Sequence, residues 1–478
     1  MMGWSVPHIP ARPEIRPWSP WVCLLLIIAG ILISFFWVIL VTSNEGLTAL
    51  SRQYWLLWAV KTLTCIAIAV TIYLLWWEVR SFMVWNWNNW CHNMELLWRK
   101  RAHQHLYVVE HLTLISDPSL IPSLAGISNK NYADEPNVNI SMEQECVPGI
   151  SRFENICLHL IKAIKPSLQQ RYPAGKVAVL VKTSSSDKKA ELAVIKRILT
   201  GGTSAWRADI EFLSDSASLS EWNQQALAYK FPVIVFILHY RQPDEILPEF
   251  ASILLIFPEE MLYPDEYKTA LRIFHTMPVN ISVLKSELAE LRDMEQIPAA
   301  RKRAVWHFGL REPQKKGLAR ILNELSINLY KEVTVGGVID FEEFFSPYKE
   351  LAGWIMMASA IEMASYGLES HWLLYKDNKM SWAMALGNST SESAAKPSVN
   401  PSPAIPFGSI MLALLTNLGF ATLMTDYYPE LMLSWQGGIV FLLLLVIMIP
   451  VVVFVLRSAI QCLQFPRFVN AGRKSGKV

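Results

Sequence analysis

Four stretches of the chain are continuously apolar and long enough to cross a membrane as helices. Two lie near the N-terminus and two near the C-terminus, at 21–42, 55–77, 407–425 and 437–456. A helix of about 22 residues rises about 33 Å, whereas a hydrocarbon core is about 30 Å thick. The pattern therefore predicts four transmembrane helices, with Pro450 kinking the last one rather than ending it.

Basic residues in the flanks of these spans predict their orientation. Arg12 and Arg16 precede the first span, a basic run follows the second at 99–101, and the 457–478 tail is basic. Arg52 is the one basic residue in the two short loops that connect the paired spans. Because cytoplasmic flanks carry the excess of lysine and arginine, we expect both termini (1–20 and 457–478) and the middle region to be cytoplasmic. The expected location is a bacterial inner membrane, spanned several times.

The segment after the second span, "FMVWNWNNWCHNMELLWRKR", combines tryptophan with positive charge. A helix is predicted over 80–115, and Trp87, Trp90, Met94 and Leu97 share one of its faces. Such a face can lie at headgroup depth, with the basic run attracted to anionic lipid. The alternative is that the same face packs on the cytoplasmic domain. The predicted interface anchors are Trp76, Trp77, Trp85, Trp87, Trp90, Trp98, Arg99, Lys100 and Arg101.

Between the two pairs of spans, strand-like and helix-like segments alternate. "KVAVLVKT", "RADIEFLS", "FPVIVFIL" and "EFASILLIF" are typical of strands, helices are predicted over 265–295 and 313–331, and "HWLLYKD" and "MSWAMALG" predict a hairpin around Asn378. This alternation predicts an α/β cytoplasmic domain at 153–387, inserted between two pairs of transmembrane α-helices. A polar linker at 116–152 precedes the domain, and a Ser/Pro-rich linker at 388–406 follows it.

Composition narrows the class of protein. Hydrophobic residues make up 52% of the chain and charged residues 18%, which favours a membrane protein. The net charge of +2 argues against nucleic acid as a partner. The six cysteines form no CxxC pair, so the sequence predicts neither a disulfide framework nor a zinc site.

One turn carries candidate chemistry. "TSSSDKK" (Thr183–Lys189) follows the first predicted strand and opens a helix, and a helix start can hold a phosphate. It lacks the glycines of phosphate-binding fingerprints, so a solvated turn with a helix cap is the plainer interpretation. The pocket candidates are Ser184, Ser185, Ser186, Lys188 and His239.

Other polar residues gave no predicted site. His103, His105 and His111 fall on the predicted helix, where positions i and i+2 point apart, so no metal site is predicted. No GxSxG, HExxH or kinase motif is present, and no catalytic residue or cofactor is predicted. Lys61 is the one ionisable residue inside the predicted spans. Transporters place such groups near mid-membrane, so transport is not expected.

Two resemblances follow from longer stretches. "FSPYKELAGWIMMASAIEMASYG", "PEFASILLIFPEE" and "MSWAMALG" are similar to parts of thiolase-like condensing enzymes. Tyr348 and Lys349 stand where that family has a glycine–histidine pair, and no cysteine nucleophile is identifiable, so the resemblance implies a fold whose catalysis was lost. The Trp-rich "WNWNNWCHNMELLWRKR" and the order of spans resemble inner-membrane proteins of type VI secretion gene clusters.

These observations lead to two functional predictions. The first is a non-catalytic membrane protein that presents its α/β domain as a platform for protein partners, such as secretion-apparatus components. The alternative is a membrane-associated enzyme acting on an acyl or lipid-linked substrate, with its pocket near Thr183–Lys189 and His239. Membrane lipids are expected partners in both cases, and a homo-oligomer is left open.

Overall fold

The structure, a computed structural model, divides into two compact units. One contains Leu97–Pro397, and the other contains Ser5–Leu96 and Ser398–Val478. The structure describes residues 9–42, 52–127, 138–140, 149–185, 187–200, 205–214, 217–240, 247–264, 266–331, 336–345, 348–376, 380–388, 402–432 and 434–475.

The helices and strands are numbered along the chain. The helices are α1 (Pro20–Thr42), α2 (Arg52–Ala102), α3 (Leu120–Leu124), α4 (Arg152–Arg171), α5 (Lys188–Thr200), α6 (Leu219–Ala226), α7 (Glu266–Thr269), α8 (Leu284–Asp293), α9 (Glu312–Glu324), α10 (Phe341–Phe344), α11 (Ala352–Ala364), α12 (Phe407–Tyr427), α13 (Pro429–Met432) and α14 (Trp435–Ser475). The strands are β1 (His105–Ile115), β2 (Ala174–Thr183), β3 (Ala205–Phe212), β4 (Val233–His239), β5 (Phe250–Phe257), β6 (Leu271–Phe274), β7 (Met277–Val279), β8 (Ala304–Phe308), β9 (Val338–Asp340), β10 (Ser370–Lys376) and β11 (Ser381–Gly387).

The sheet of the α/β domain consists of two halves with the same topology. Its order is β3-β2-β4-β5-β1-β6-β11-β10-β8-β9, with β7 pairing β11. In the first half β2 runs parallel to β3 and β4, β5 runs antiparallel to β4, and β1 runs antiparallel to β5. In the second half β8, β9, β10, β11 and β6 repeat this arrangement. The halves join where β1 pairs antiparallel with β6, so an approximate two-fold axis passes between these strands.

The two faces of the sheet are both covered, which explains the continuous apolar runs of its central strands. β4 and β5 are buried along their whole length, as expected for strands with helices on both faces. One core lies inside the domain and contains α6 and α11 together with strands from both halves, and Trp222 of α6 contacts Trp354 of α11 at 5.1 Å. The outer faces are covered by α4 and α5 in one half and by α8 and α9 in the other. Helices therefore cover both faces of the sheet, with α6 and α11 on the inner one.

Two segments of this domain differ from the sequence predictions. The helix predicted over 80–115 ends at Ala102, and His105–Ile115 forms β1, because its alternating apolar residues pair with β5 and β6. The helix predicted over 265–295 is interrupted by β6 and β7, whose backbones complete the second half of the sheet. The predicted hairpin forms from β10 and β11, although Asn378 lies outside the described residues.

The other unit contains helices long and apolar enough to cross a membrane. Four such helices occur in the described part of the chain, and they contain the four predicted spans. Glu78 of α2 is buried and accepts hydrogen bonds from the backbone N–H (2.7 Å) and the hydroxyl (2.5 Å) of Ser409. This carboxylate therefore caps the first turn of α12, where the helix leaves backbone donors without a partner.

The tryptophans predicted to face lipid have several different surroundings. Trp87 is buried, with Phe468 at 5.1 Å and the guanidinium of Arg12 4.0 Å from its ring centroid, and Trp90 packs on Phe465 and Phe468. The Trp87–Trp90 face thus packs on α14, which differs from the predicted lipid-facing surface. Trp76 is exposed, and the guanidinium of Arg80 lies over its ring. The indole N–H of Trp77 donates to the carbonyl of Arg16, and Trp85 stacks on Phe82.

In the α/β unit, the last of these predicted anchors lie at the end of α2. Trp98 packs partly buried against the α8–α9 core, and Arg99 and Arg101 are half-buried. Lys100 is exposed. The basic run Arg99–Arg101 therefore belongs to the α/β unit and lies in the last turn of α2.

Candidate functional site

The carboxyl ends of β2 and β4 lie side by side. These strands run parallel, with Thr183 opposite Leu238, and the backbone N–H of Ser184 donates to the carbonyl of Leu238 at 3.2 Å. Ser184 directly follows the end of β2, and His239 is the last residue of β4, so these two residues are neighbours at the edge of the sheet. Ligand sites in open α/β sheets commonly form at this edge of parallel strands.

Ser184 and His239 form a hydrogen-bonded pair at this edge. The Oγ atom of Ser184 lies 2.7 Å from Nδ1 of His239. The serine is exposed, whereas the histidine is only 3% exposed. A serine hydroxyl held by a buried imidazole and open to solvent is the arrangement that activates a serine nucleophile.

Tyr348 fixes the imidazole from its side. The two rings meet edge to face with centroids 5.2 Å apart, and the Tyr348 hydroxyl donates to the carbonyl of Pro248 at 2.9 Å. Tyr348 is the residue that stands in the place of the expected glycine–histidine pair in the thiolase-like resemblance. Its ring limits the rotation of His239 and keeps Nδ1 directed at Ser184.

The rest of the predicted turn orders the backbone around Ser184. The Ser185 N–H donates to the Thr183 hydroxyl at 3.1 Å, and the Asp187 N–H donates to the Ser185 hydroxyl at 3.1 Å. Asp187 then accepts from the N–H of Ala190 at 3.2 Å and caps α5. Lys188 begins α5 and is half-buried, and Ser186 lies outside the described residues.

The buried carboxyl group of Glu191 contacts the side chains of this turn. Glu191 is only 7% exposed, and burial raises its pKa above the ordinary value of 4.5. Hydrogen bonds from the hydroxyls of Ser185 and Thr183 oppose that rise. The turn that carries Ser184 is thus bonded to the first turn of α5.

Sequence reasoning missed Lys182, which precedes the turn. Its side chain is 1% exposed, and Nζ donates to the carbonyls of Ser214 (2.8 Å) and Ala217 (3.2 Å). The lysine thereby fixes the connection between β3 and α6, whose cap is Ser218. The available signal is a lysine that directly follows the apolar run "VAVLV" of a buried strand, because buried lysines need several partners.

The three histidines of the N-terminal part do not converge on one point. His103 Nε2 lies 2.9 Å from the Met294 carbonyl, and His105 Nδ1 lies 2.7 Å from the His103 carbonyl. Burial lowers the pKa of both, that of His105 to about 4. His111 lies on β1, 3.8 Å from Glu362, and burial lowers its pKa as well. No group of three or more metal-ligating side chains occurs in the part of the chain that was described.

Two further histidines, His307 and His371, lie on strands of the second half of the domain. His371 is fully buried, accepts from the indole of Trp306 at 3.2 Å, and has its pKa lowered by burial to about 4. His307 lies 3.8 Å from Asp340, which also pairs with Lys315 at 2.6 Å. Among the described residues neither imidazole has a hydroxyl as its hydrogen-bond partner, so Ser184–His239 is the pair that we take as the candidate site.

His275 lies beside a second polar cluster. The N–H of Thr276 donates to Asn223 Oδ1 at 3.1 Å, and Asn223 donates to the Phe274 carbonyl at 3.3 Å. These bonds tie α6 to the end of β6 on either side of His275. Burial lowers the pKa of His275, which favours its neutral form.

Comparisons with known proteins give structural neighbours but no sequence family. No family model matches the chain, and no curated protein matches it. A type II polyketide synthase acyl-carrier protein in complex with its ketosynthase matches with 11% identity and a TM-score of 0.37, over 59% of this chain and 99% of that chain. OleA from Xanthomonas campestris matches with 10% identity and a TM-score of 0.34, over 60% of this chain and 98% of that chain. The cerulenin-bound form of OleA gives the same identity, coverage and TM-score.

These neighbours correct one of the functional predictions. They are thiolase-like condensing enzymes, and at 10–11% identity the likeness concerns the fold of the α/β domain. The prediction of a non-catalytic platform for protein partners is contradicted by these neighbours, which are enzymes, and is not carried further. The described residues form a mixed α/β sheet domain with thiolase-like neighbours and include four helices apolar enough to span a membrane.

Proposed function

We propose that this protein is a membrane-associated enzyme that cleaves or transfers an acyl group, with Ser184 as nucleophile and His239 as base. The observation that carries the proposal is the 2.7 Å contact between Ser184 Oγ and His239 Nδ1. Its setting supports the proposal, since the hydroxyl is exposed and the imidazole is buried against Tyr348.

The chemistry follows from this contact. His239 Nδ1 takes the hydroxyl proton of Ser184 as Oγ bonds to the acyl carbon. The bond from that carbon to the leaving group then breaks, and the leaving group takes the proton from His239. Water or a second hydroxyl releases the acyl group by the same steps in reverse, which restores Ser184.

The substrate is proposed to be an acyl ester held in or at the membrane. The four apolar helices support this, because they would keep the α/β domain near lipid. The orientation belongs to the same proposal, with both termini and the α/β domain on the cytoplasmic side of a bacterial inner membrane. The link to type VI secretion and its protein partners stays a prediction.

Ester turnover by the full-length protein in detergent tests the proposal. With p-nitrophenyl acyl esters, Ser184→Ala and His239→Ala should each lower the turnover number at least about 100-fold, since a positioned base contributes this much. Ser167→Ala is the matched control, because that hydroxyl donates to the carboxylate of Glu110 at 2.8 Å rather than to an imidazole.

The control variant should keep the rate of the unmodified protein. Equal rates for Ser184→Ala and the unmodified protein, with turnover well above buffer, would place the chemistry elsewhere and refute the assignment. Thermal unfolding of each variant shows whether a lost rate reflects lost folding.

A further inference from the structure

A groove lies between the first two apolar helices, far along the chain from Ser184 and His239. Its volume is about 460 Å³. Its lining runs from Leu26 to Trp37 on α1 and from Trp58 to Ala69 on α2, with a residue at every third or fourth position. This spacing is one face of each helix. Eleven residues of helix rise about 16 Å, so the groove is long and narrow.

One end of the groove is polar and positively charged. Lys61 lines it and is exposed, and no carboxylate in the described ranges lies within ion-pair distance. The hydroxyls of Ser34 and Thr62 bond to each other at 2.6 Å beside it. A cation and a pair of hydroxyls therefore lie at the same end of the groove.

The opposite end of the groove is apolar and closed by helix contact. Leu26, Gly30, Ile66 and Ala69 line it. A Cβ atom added to Gly30 would lie 2.5 Å from Cγ1 of Ile66, so the two helices meet closely at this point. The groove thus accepts an apolar chain from the polar end and excludes a bulky group at the far end.

The position of Lys61 matches the level of a lipid headgroup. It lies six residues after Trp55, where the predicted span begins, which is about 9 Å along the helix. A lysine side chain at this depth reaches the interface with its charged end. The apolar end of the groove lies about 12 Å deeper, at the level of acyl chains.

We propose that this groove binds one anionic phospholipid, with its phosphate on Lys61 and one acyl chain along the apolar end lined by Gly30 and Ile66. The match of charge at one end and of apolar surface at the other carries the inference. It does not depend on the proposed chemistry of Ser184 and His239.

Photo-crosslinking tests the occupant with the full-length protein in phosphatidylcholine nanodiscs. Phosphatidylglycerol carrying a diazirine in its acyl chain should label peptides containing Gly30–Trp37 and Trp58–Ala69. Lys61→Met should lower this labelling at least about 5-fold, whereas Lys61→Arg should keep it, because both basic side chains bind a phosphate. Helix insertion is not at risk, since methionine favours a span more than lysine does.

Each outcome decides for or against the proposal. Loss of labelling in Lys61→Met with retention in Lys61→Arg supports it. Equal labelling by diazirine phosphatidylcholine, or unchanged labelling in Lys61→Met, would show that the groove takes any acyl chain and would overturn the claim for an anionic headgroup.

Discussion

At the scale of single residues, the sequence offers Ser184 and His239 as pocket candidates but does not predict that they touch each other. Ser184 and His239 were both predicted to follow buried strands, because each comes directly after a continuous apolar run. That they touch depends on β2 and β4 being neighbours, with β3 placed outside β2. Strand order is set by the packing of the whole domain, so one sequence does not give it. Tyr348, which packs on His239, lies more than a hundred residues further along the chain, so its contact with the imidazole cannot be predicted from the sequence.

Glu191 gives a prediction for the turn that carries Ser184. Because burial raises its pKa in the folded state, the contribution of Glu191 to the free energy of unfolding is highest below pH 4.5 and falls as pH rises from 4.5 to the folded-state pKa. The slope in that window is about 1.4 kcal/mol per pH unit. Glu191→Gln removes this dependence, so the variant should be more stable than the unmodified protein above the window and equal to it below.

Melting temperatures of the full-length protein in detergent between pH 4 and pH 8 measure this effect. Glu343→Gln, at an exposed position, is the control and should follow the unmodified protein at every pH. Parallel curves for Glu191→Gln and the unmodified protein would show that the carboxyl of Glu191 is not destabilised by burial.

At the scale of elements, the length of an apolar run predicts a helix that could span a membrane. The spacing of apolar residues in shorter segments does not separate helix from strand. The four long helices contain the predicted spans, because an apolar run of about 20 residues is typical of a transmembrane helix. His105–Ile115 is predicted as the continuation of a helix but forms β1. Its backbone pairs with β5 and β6, and these partners lie far away in the sequence. Short strands such as β6 and β9 leave too few residues for a period to be recognised.

The contact between α2 and α12 gives a prediction at this scale. A Cβ atom on Gly408 would lie 2.5 Å from the backbone of Leu75, so the two helices meet at van der Waals distance. Gly408→Leu should therefore force them apart and cost about 1–3 kcal/mol or more. Gly419→Leu, on the same helix with open space around it, should cost little.

Thermal unfolding of both variants in the same detergent compares them. The Gly408 variant should melt several degrees lower than the Gly419 variant. Equal melting temperatures would mean that α2 and α12 do not pack closely at this glycine.

At the scale of the whole molecule, an α/β domain lies between two pairs of apolar helices in the sequence. Composition and the order of elements sufficed for that outline, because apolar spans and alternating strands and helices differ strongly in pattern. The two-fold repeat of the sheet was not predicted, since its halves share topology without visible sequence repetition. The flanking charges predict the orientation of the whole chain.

Reporter fusions test that orientation. Green fluorescent protein joined after residue 478 should fluoresce, and alkaline phosphatase joined after Glu430 should be active, because the first point is predicted to be cytoplasmic and the second external. The reverse pattern would invert the topology and place the α/β domain outside the cell.

The central claim is that Ser184 is a nucleophile activated by His239, and mapping of its covalent adduct tests this most directly. The full-length protein is treated with a fluorophosphonate, digested, and analysed by mass spectrometry. The account predicts an adduct on the peptide that contains Ser184, lost in Ser184→Ala and strongly reduced in His239→Ala. An unmodified Ser184 peptide in a protein that turns over acyl esters would contradict it.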